Sequence, residues 1–305
     1  MLKNKVKVIY GLLILTVMYA CNAGQSDKAG SVGAKDTLEV WADTGLRVMA
    51  NEHKKAFENS YNNAILNIHY MHEDSIVKGL INNRVNAAFL QRNLTAEEAG
   101  YLEKKEKFKP KEYVFAYSAM VLVASESYPD DFISKDAIRD YFKTNKPHTF
   151  RVVFENSQGQ AIHYMQKRFN ITNEELSKAF AKNNLNALLS QLRSDPQSIG
   201  ILPFSYISDI ESQATIEMLN GLKVLGVQYA DSTGKTVMFY PSQETIATKE
   251  YPFISPMLFM NCNMDKKGGT TFINYLFKPK AQRLVLKCGI VPAIFPGREV
   301  KIITQ

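Results

Sequence analysis

Three polar segments of the sequence have the composition of ligand-binding loops at the start of helices. They are Asp43-Thr44-Gly45, Gln91-Arg92-Asn93 and Asn156-Ser157-Gln158-Gly159-Gln160, the last of which leads into Ala161. Each segment follows an apolar run and precedes a stretch with helical spacing. The first amides of a helix have no partner within it and carry a partial positive charge, so loops of this kind bind anions when they converge. Arg92 would add two parallel hydrogen bonds to a phosphate or a carboxylate.

The same residue types also have an ordinary structural use. Asn, Ser, Thr and Gly cap helices and form turns in any protein, so no single segment indicates a function. The three segments predict an anion site only if the fold brings them to one cleft.

No pattern in the sequence assembles a catalytic or metal centre. The histidines are His53, His69, His72, His148 and His163, and no pair has the spacing of a zinc protease. The nucleophile-elbow, P-loop and dinucleotide-binding glycine patterns are absent from the sequence. Cys262 and Cys288 would be able to pair in an oxidising compartment, but the sequence does not establish their contact. We therefore expect a binding protein without a metal or cofactor, and not an enzyme.

The elements that would position these segments alternate between strands and helices. Apolar runs predict strands at 38–42, 65–71, 87–90, 113–124, 150–154, 199–202, 222–227 and 256–262. Helical spacing predicts helices over 46–57, from 76, over 134–142, from 162, around 174–193 and over 269–287, with capping boxes at 95–98 and 172–175. This alternation indicates an α/β fold with parallel sheets and helices on both faces, in which ligands bind at the carboxyl ends of strands.

Length and charge agree with a binding protein of small solutes. The 305 residues suit two lobes or one large domain, and the 45% hydrophobic content excludes wholesale disorder. The formal net charge is +7. It falls to +4, with 34 basic and 30 acidic residues, once Lys3, Lys5 and Lys7 are removed with the segment described next. So small and dispersed a surplus does not predict nucleic-acid binding. We expect a monomer.

The first twenty residues predict a targeting signal. Residues 1–7 are basic, and 8–20 form an apolar run that is too short to span a membrane, which takes ~20 residues. The run ends at Ala20-Cys21, and a small residue before a lone cysteine resembles a bacterial lipoprotein signal. In such signals the cysteine is lipidated and becomes the mature N-terminus. We therefore expect Cys21 to anchor the protein to a membrane, with the domain facing the periplasm or the exterior.

An ordinary signal peptide with an incidental cysteine is the alternative interpretation, because Met18 and Tyr19 are bulkier than the usual residues before a lipidated cysteine. Residues 21–35 are rich in Gly, Ser, Ala and Lys, which predicts a flexible tether between the membrane and the domain.

Five stretches of the mature chain occur in the order of a known family. They are AFLQRNLTAEE (88–98), RVVFENSQGQAIHYM (151–165), SIGILPFSYISD (198–209), ADSTGKTVMFYPSQETIATKEYPFISPMLFMNC (230–262) and FINYLFKPKAQRLVLKCGIVPA (272–293). Together they resemble the phosphate-binding lipoproteins of ABC transporters, a family of periplasmic binding proteins. The resemblance covers nearly the whole mature chain.

The resemblance implies a two-lobe periplasmic binding protein-like fold of type II. Lobe 1 would contain 36–118 plus 258–305 and lobe 2 would contain 119–257, with crossover hinge segments near 117–125 and 251–259. The ligand would bind between the lobes, which would close on it by a hinge motion.

The resemblance also implies a ligand and a partner. The ligand would be phosphate or a related small oxyanion, passed on to an ABC transporter permease. The implied binding residues are Asp43, Thr44, Gly45, Gln91, Arg92, Asn156, Ser157, Gly159, Gln160 and Ala161. Asp43 is the nearest candidate for the carboxylate that accepts the proton of phosphate.

The chain departs from the family where phosphate would bind. The family's loops usually offer hydroxyls where this chain has Gly45, Gln91 and the run Gly159-Gln160-Ala161. Fewer short donors would then compensate for the dehydration of the anion. Two functions therefore remain open. The protein captures phosphate or a related oxyanion for transport, or it is a sensor or interaction lipoprotein on the same scaffold that binds phosphate weakly or not at all.

The predicted lipidation leads to a direct test. Replacing Cys21 by Ser removes the thiol that would carry the lipid, so the variant should move from the membrane fraction to the soluble fraction. The measurement is fractionation of cells expressing each form, with Cys288→Ser as a matched control that should stay with the membranes. Retention of Cys21→Ser in washed membranes would contradict the lipid anchor.

Overall fold

The computed structural model describes residues 36–106, 110–262 and 267–297. The predicted signal at 1–20, the lipidated Cys21 and the tether at 21–35 lie outside the described residues. Every element described below belongs to one compact unit, 37–305, except for the first residue of the first strand. Within the described part of the chain, no helix is both long and apolar enough to span a membrane.

Strands and helices alternate along most of the chain, as the sequence predicts. The strands are β1 (Asp36–Asp43), β2 (Ala64–Met71), β3 (Ala87–Leu90), β4 (Lys111–Ser125), β5 (Phe132–Ser134), β6 (Arg151–Phe154), β7 (Phe180–Ala181), β8 (Ser198–Pro203), β9 (Leu222–Ala230), β10 (Thr236–Phe239), β11 (Ile254–Asn261) and β12 (Val291–Pro292). The helices are α1 (Arg47–Glu58), α2 (Glu73–Ile81), α3 (Ala96–Glu106), α4 (Lys135–Lys143), α5 (Gln160–Phe169), α6 (Asn173–Leu176), α7 (Leu185–Ser194), α8 (Gln213–Leu219), α9 (Gln243–Ala247), α10 (Lys267–Leu276) and α11 (Pro279–Lys287). Two 3-10 turns, Thr44–Leu46 and Phe204–Tyr206, follow β1 and β8 directly.

The long strand β4 connects two sheet regions. Its first half pairs with β11, from Lys111 opposite Asn261 to Ala119 opposite Ile254. Its second half pairs with β8 and β9. The strand order is therefore β2-β1-β3-β11-β4 on one side and β4-β8-β6-β7 on the other. The predicted crossovers near 117–125 and 251–259 overlap these two central strands, while the lobe boundaries at 118 and 257 stay a prediction.

The α/β class is confirmed, but the expectation of parallel sheets is only partly correct. β1 pairs with β3 and β6 pairs with β8 in parallel, as helical crossovers require. β11 is antiparallel to both β3 and β4, and β4 is antiparallel to β8. The sheet is mixed because the chain passes through its centre in opposite directions, along β4 and then along β11.

Local signals in the sequence explain where several helices begin. The predicted capping box at 95–98 is present, since the Thr95 amide donates to Glu98 Oε2 at 2.8 Å and the Glu98 amide donates to Thr95 Oγ1 at 3.2 Å. The one at 172–175 is present as well. The predicted helical stretch at 174–193 is interrupted, because Phe180 and Ala181 pair with β6 as the short strand β7.

His53 and the two cysteines Cys262 and Cys288 lie in the core or pack against it. His53 is fully buried on α1 with its ring edge-on to Phe115 and Tyr275, and burial lowers its pKa to about 4, so it is neutral. Cys262 lies in a small apolar cluster with its neighbours on β11, whereas Cys288 packs against the main core at the end of α11. No disulfide joins these two cysteines.

Candidate functional site

Two of the three predicted segments meet at one cavity. Asp43, Thr44 and Gly45, at the end of β1, face the loop between β6 and α5 across a volume of about 80 Å³. From the second loop, Asn156, Gly159, Gln160 and Ala161 line the cavity. A water molecule occupies ~30 Å³ in the liquid, so the space suits one small polar solute or ion.

The rest of the lining comes from the ends of neighbouring strands. His72 follows β2, Glu155 follows β6, and Pro203 and Tyr206 lie at and after the end of β8. These positions are the carboxyl ends of strands, where α/β sheets bind ligands. The topology therefore explains why segments distant in sequence share one cavity.

The start of α5 offers hydrogen-bond donors to this cavity. Its N-cap residue, Gly159, makes no side-chain capping bond, and the first amides of the helix have no partner within it. Gln160 is only 7% exposed, and neither its Oε1 nor its Nε2 has a hydrogen-bond partner in the structure. Leaving a buried amide without a hydrogen bond costs a few kcal/mol. A polar ligand that bonds to Gln160 would remove this cost, so this side chain is expected to contribute most to the binding free energy.

Close packing explains the glycines that stand where hydroxyls were expected. A Cβ at Gly45 would lie 2.9 Å from Gln91 Nε2, and one at Gly159 would lie 2.9 Å from Asn156 Nδ2. Asn156 in turn accepts a bond from the Gln158 amide at 2.9 Å. Larger amide side chains therefore occupy the space that a serine would need.

Asp43 is buried beneath the cavity. Its Oδ1 accepts hydrogen bonds from the Gly45 amide at 2.9 Å and from Gln91 Nε2 at 3.1 Å. Burial raises the pKa of Asp43, and these hydrogen bonds oppose the increase without cancelling it. The carboxyl is thus more readily protonated than an exposed aspartate.

Two further carboxyls interact with Asp43. Glu73, at the start of α2, accepts a hydrogen bond from the backbone amide of Gln91 at 2.8 Å. Burial, together with the negative charge of Asp43, raises the pKa of Glu73 to about 8. Glu155 accepts hydrogen bonds from the Tyr206 hydroxyl at 3.1 and 3.2 Å. Its pKa is raised chiefly by burial and, to a smaller extent, by the negative charge of Asp43. The site therefore contains three carboxyls whose pKa values are raised above their ordinary values, chiefly by burial.

The sequence also matches a known superfamily. The family model of the PBP superfamily domain matches residues 28–280. The chain belongs to the PBP superfamily. The family is one of extracytoplasmic solute-binding proteins that are not enzymes. This agrees with the sequence-based predictions of a location outside the cytoplasm and of a binding protein without catalytic activity.

Solved structures share the fold of this PBP superfamily member at low sequence identity. A Clostridium perfringens structure, described as a phosphate ABC transporter substrate-binding protein with bound phosphate, has a TM-score of 0.64 and 16% identity over 85% of this chain and 100% of that one. An ABC-type phosphate transport receptor from Vibrio cholerae has a TM-score of 0.62 and 14% identity over 83% and 99%. PstS from Borrelia burgdorferi has a TM-score of 0.55 and 19% identity over 84% and 98%. No curated protein matches the chain. These likenesses confirm the two-lobe periplasmic binding protein-like fold.

In this superfamily member, the third predicted segment lies beside the cavity and does not line it. Arg92 forms a bidentate pair with Glu98, at 2.8 and 2.9 Å. Its Nε also lies 3.3 Å from Glu73 Oε2, a distance for an ion pair but without hydrogen-bond geometry. Gln91 acts on the cavity only through Asp43, and Ser157 is exposed outside it. No Lys or Arg is therefore among the residues that line the cavity.

Several residues of the site were not identified from the sequence. Glu155 adjoins the predicted loop, and its position after an apolar strand is a signal that could have revealed it. His72, Glu73 and Tyr206 belong to other loops, and only the tertiary structure brings them to this place.

The raised pKa of Glu73 leads to a prediction about stability. Its folded-state value of about 8 lies above its ordinary 4.5, so its contribution to the free energy of unfolding is present below pH 4.5 and is lost as the pH rises to about 8. The loss is at most about 1.4 kcal/mol per pH unit. Replacing Glu73 by Gln, which cannot ionise, should flatten the fall of the melting temperature between pH 5 and 8.

The measurement is thermal unfolding across that pH range, with Glu97→Gln, at an exposed position in the first turn of α3, as the matched control. The control should keep the wild-type slope. An unchanged slope in Glu73→Gln would contradict the assignment.

Proposed function

We propose that the protein is the solute-binding lipoprotein of an ABC transporter and captures phosphate or a related small oxyanion in the cavity between the β1 and β6 loops. The single observation that carries the proposal is Gln160, whose buried and unpartnered amide lies at the open N-terminus of α5. The superfamily fold and the described phosphate ligand of the Clostridium perfringens structure support the choice of anion. In this proposal Cys21 anchors a monomeric receptor to the membrane beside its permease.

The proposed ligand residues are those of the two converging loops. The amides of Gln160 and Ala161 and the Gln160 side chain would donate to the oxyanion, while Thr44 supplies a hydroxyl from the opposite side. Asn156 and Gly159 would shape the loop. Arg92 would act at a distance, since its bidentate pair with Glu98 already neutralises its charge.

The carboxyls determine which form of the ligand is accepted. A bare oxyanion beside ionised Asp43 and Glu155 would be repelled, and no Lys or Arg in the lining offsets that repulsion. The repulsion disappears when the carboxyls are neutral or when the ligand carries a proton that a carboxylate can accept. Both conditions favour binding at a pH below neutral.

The acidic lining also favours the second candidate function. A sensor or interaction lipoprotein would use the same scaffold with weak or no phosphate binding, and its cavity would not need a permanent positive charge. Phosphate affinity separates the two candidates.

The proposal predicts a pH-dependent phosphate affinity. In calorimetric titrations of the full chain, phosphate should bind about tenfold or more tightly at pH 5.5 than at pH 8.0, because neutralising one coupled carboxyl is worth on the order of 1.4 kcal/mol per pK unit. The double variant Asp43→Asn, Glu155→Gln should lose most of this difference. The pH dependence that remains in the variant comes from phosphate itself and from the other titratable side chains near the cavity, Glu73 and His72.

A matched pair of variants tests the residue that carries the proposal. Gln160→Leu removes the unpartnered amide and should weaken phosphate binding roughly tenfold or more. Gln158→Leu, two residues away and exposed, should bind like the wild type. Failure of the folded wild type to bind phosphate at either pH would refute capture for transport and favour the sensor function.

A further inference from the structure

A second and larger cavity adjoins the first along α5. It has a volume of about 520 Å³ and is lined by the later turns of that helix, the start of α4, β9 and the first residues of β11. We call it the basic cavity and define it by Lys135, Tyr164, Lys167, Arg168, Tyr229 and Lys249. Its volume lies within the usual range of ligand pockets and is several times that of the first cavity.

The positive charges of the basic cavity are largely uncompensated. Among the described residues, Lys135, Lys167, Arg168 and Lys249 form no ion pair, and no Asp or Glu is among the residues that line the cavity. The other arginine in the lining, Arg92, is already paired with Glu98, and His163 Nε2 lies 3.1 Å from Asp74 Oδ1. Burial, and then the nearby charge of Arg168, lower the pKa of Lys135, as expected where like charges crowd together.

Aromatic rings lie among these cations. Lys135 Nζ is 5.5 Å from the centre of the Tyr229 ring. Tyr164 is half-buried on α5. Lysine ammonium groups of this kind can bind phosphate groups, and tyrosine rings can stack on a flat ring of a ligand.

The cavity is built mostly from regular elements. Lys135 begins α4, and Lys167 and Arg168 lie in the last turn of α5. Lys249, in the turn after α9, has a φ of 62°, a left-handed conformation that residues other than glycine rarely adopt. Helical and turn geometry therefore hold four like charges around one space, where mutual repulsion disfavours them without a ligand.

We infer that the basic cavity is a binding site for an oligophosphate, either inorganic or carried by a nucleoside. A single phosphate fills only part of a cavity of about 520 Å³, whereas a chain of three phosphates occupies more of it and carries enough charge to neutralise the four cations. Guanidinium and ammonium groups bind phosphate oxygens through charge-assisted hydrogen bonds. The half-buried phenol rings of Tyr164 and Tyr229 suit the base of a nucleotide. This site is separate from the proposed phosphate cavity, which is at the opposite end of α5.

The test is calorimetric titration of the full chain with tripolyphosphate, ATP, orthophosphate and citrate. Tripolyphosphate should bind, and its affinity should fall as sodium chloride is raised from about 50 mM to about 500 mM, since salt screens exposed charges. ATP binding tighter than tripolyphosphate would identify a nucleotide site, and equal or weaker ATP binding would identify an inorganic one. Citrate binding as tightly as tripolyphosphate would overturn the preference for phosphate.

Variants separate this site from the phosphate cavity. The pair Lys167→Gln, Arg168→Gln should weaken tripolyphosphate binding by about tenfold or more and leave orthophosphate binding unchanged. The pair Lys104→Gln, Lys235→Gln removes the same charge from exposed positions outside the cavity and should bind both ligands like the wild type. Gln160→Leu should affect orthophosphate alone.

Two results would overturn the inference. One is the absence of tripolyphosphate binding by the folded wild type at low salt. The other is an equal loss of tripolyphosphate affinity in the Lys167→Gln, Arg168→Gln pair and its control, which would show attraction by net charge without a site. Orthophosphate binding in either case would leave the proposed function intact.

Discussion

The hydrogen bond between Gln91 Nε2 and the buried carboxyl of Asp43 is the contact on which the site depends. It ties the end of β3 to the end of β1, and it fills the space that a side chain at position 45 would need. The same residue donates its backbone amide to Glu73, so one glutamine orients two buried carboxyls. Because burial favours their neutral forms, this part of the structure determines both the stability of the fold with pH and the charge that a ligand encounters.

The two cavities divide the available charge between them. The small cavity has donors at the start of α5 and carboxyls opposite, but no Lys or Arg in its lining. The basic cavity has the cations, and the charge of Arg92, which also lines it, is already neutralised by Glu98. A protonated oxyanion suits the first environment and a highly charged anion suits the second. α5 contributes to both, with its first turn at one and its last turns at the other.

Much of the fold could be predicted from the sequence because its signals are local. An apolar run predicted the bounds of β3 correctly, and the two predicted capping boxes are present. The resemblance of five stretches, in order along the chain, identified the superfamily. The antiparallel pairing of β11 and the short strand β7 depend on distant partners, so periodicity did not predict them. The loops at Asp43 and Gly159 were predicted to meet, and they do. The placement of Arg92 was not predictable, because its carboxylate partner Glu73 is distant in sequence and Glu98 was assigned only a capping role.

The proposed function requires the small cavity to hold its oxyanion beside two carboxyls, Asp43 and Glu155, whose pKa values burial raises. Proton counting by calorimetry tests this most directly, because the binding enthalpy measured in buffers of different ionisation enthalpy gives the number of protons exchanged. At pH 8.0 we expect a net uptake of about one proton for each phosphate bound, since either a carboxyl of the cavity or the phosphate must become protonated. Binding of phosphate with no proton uptake, or with release, would contradict it.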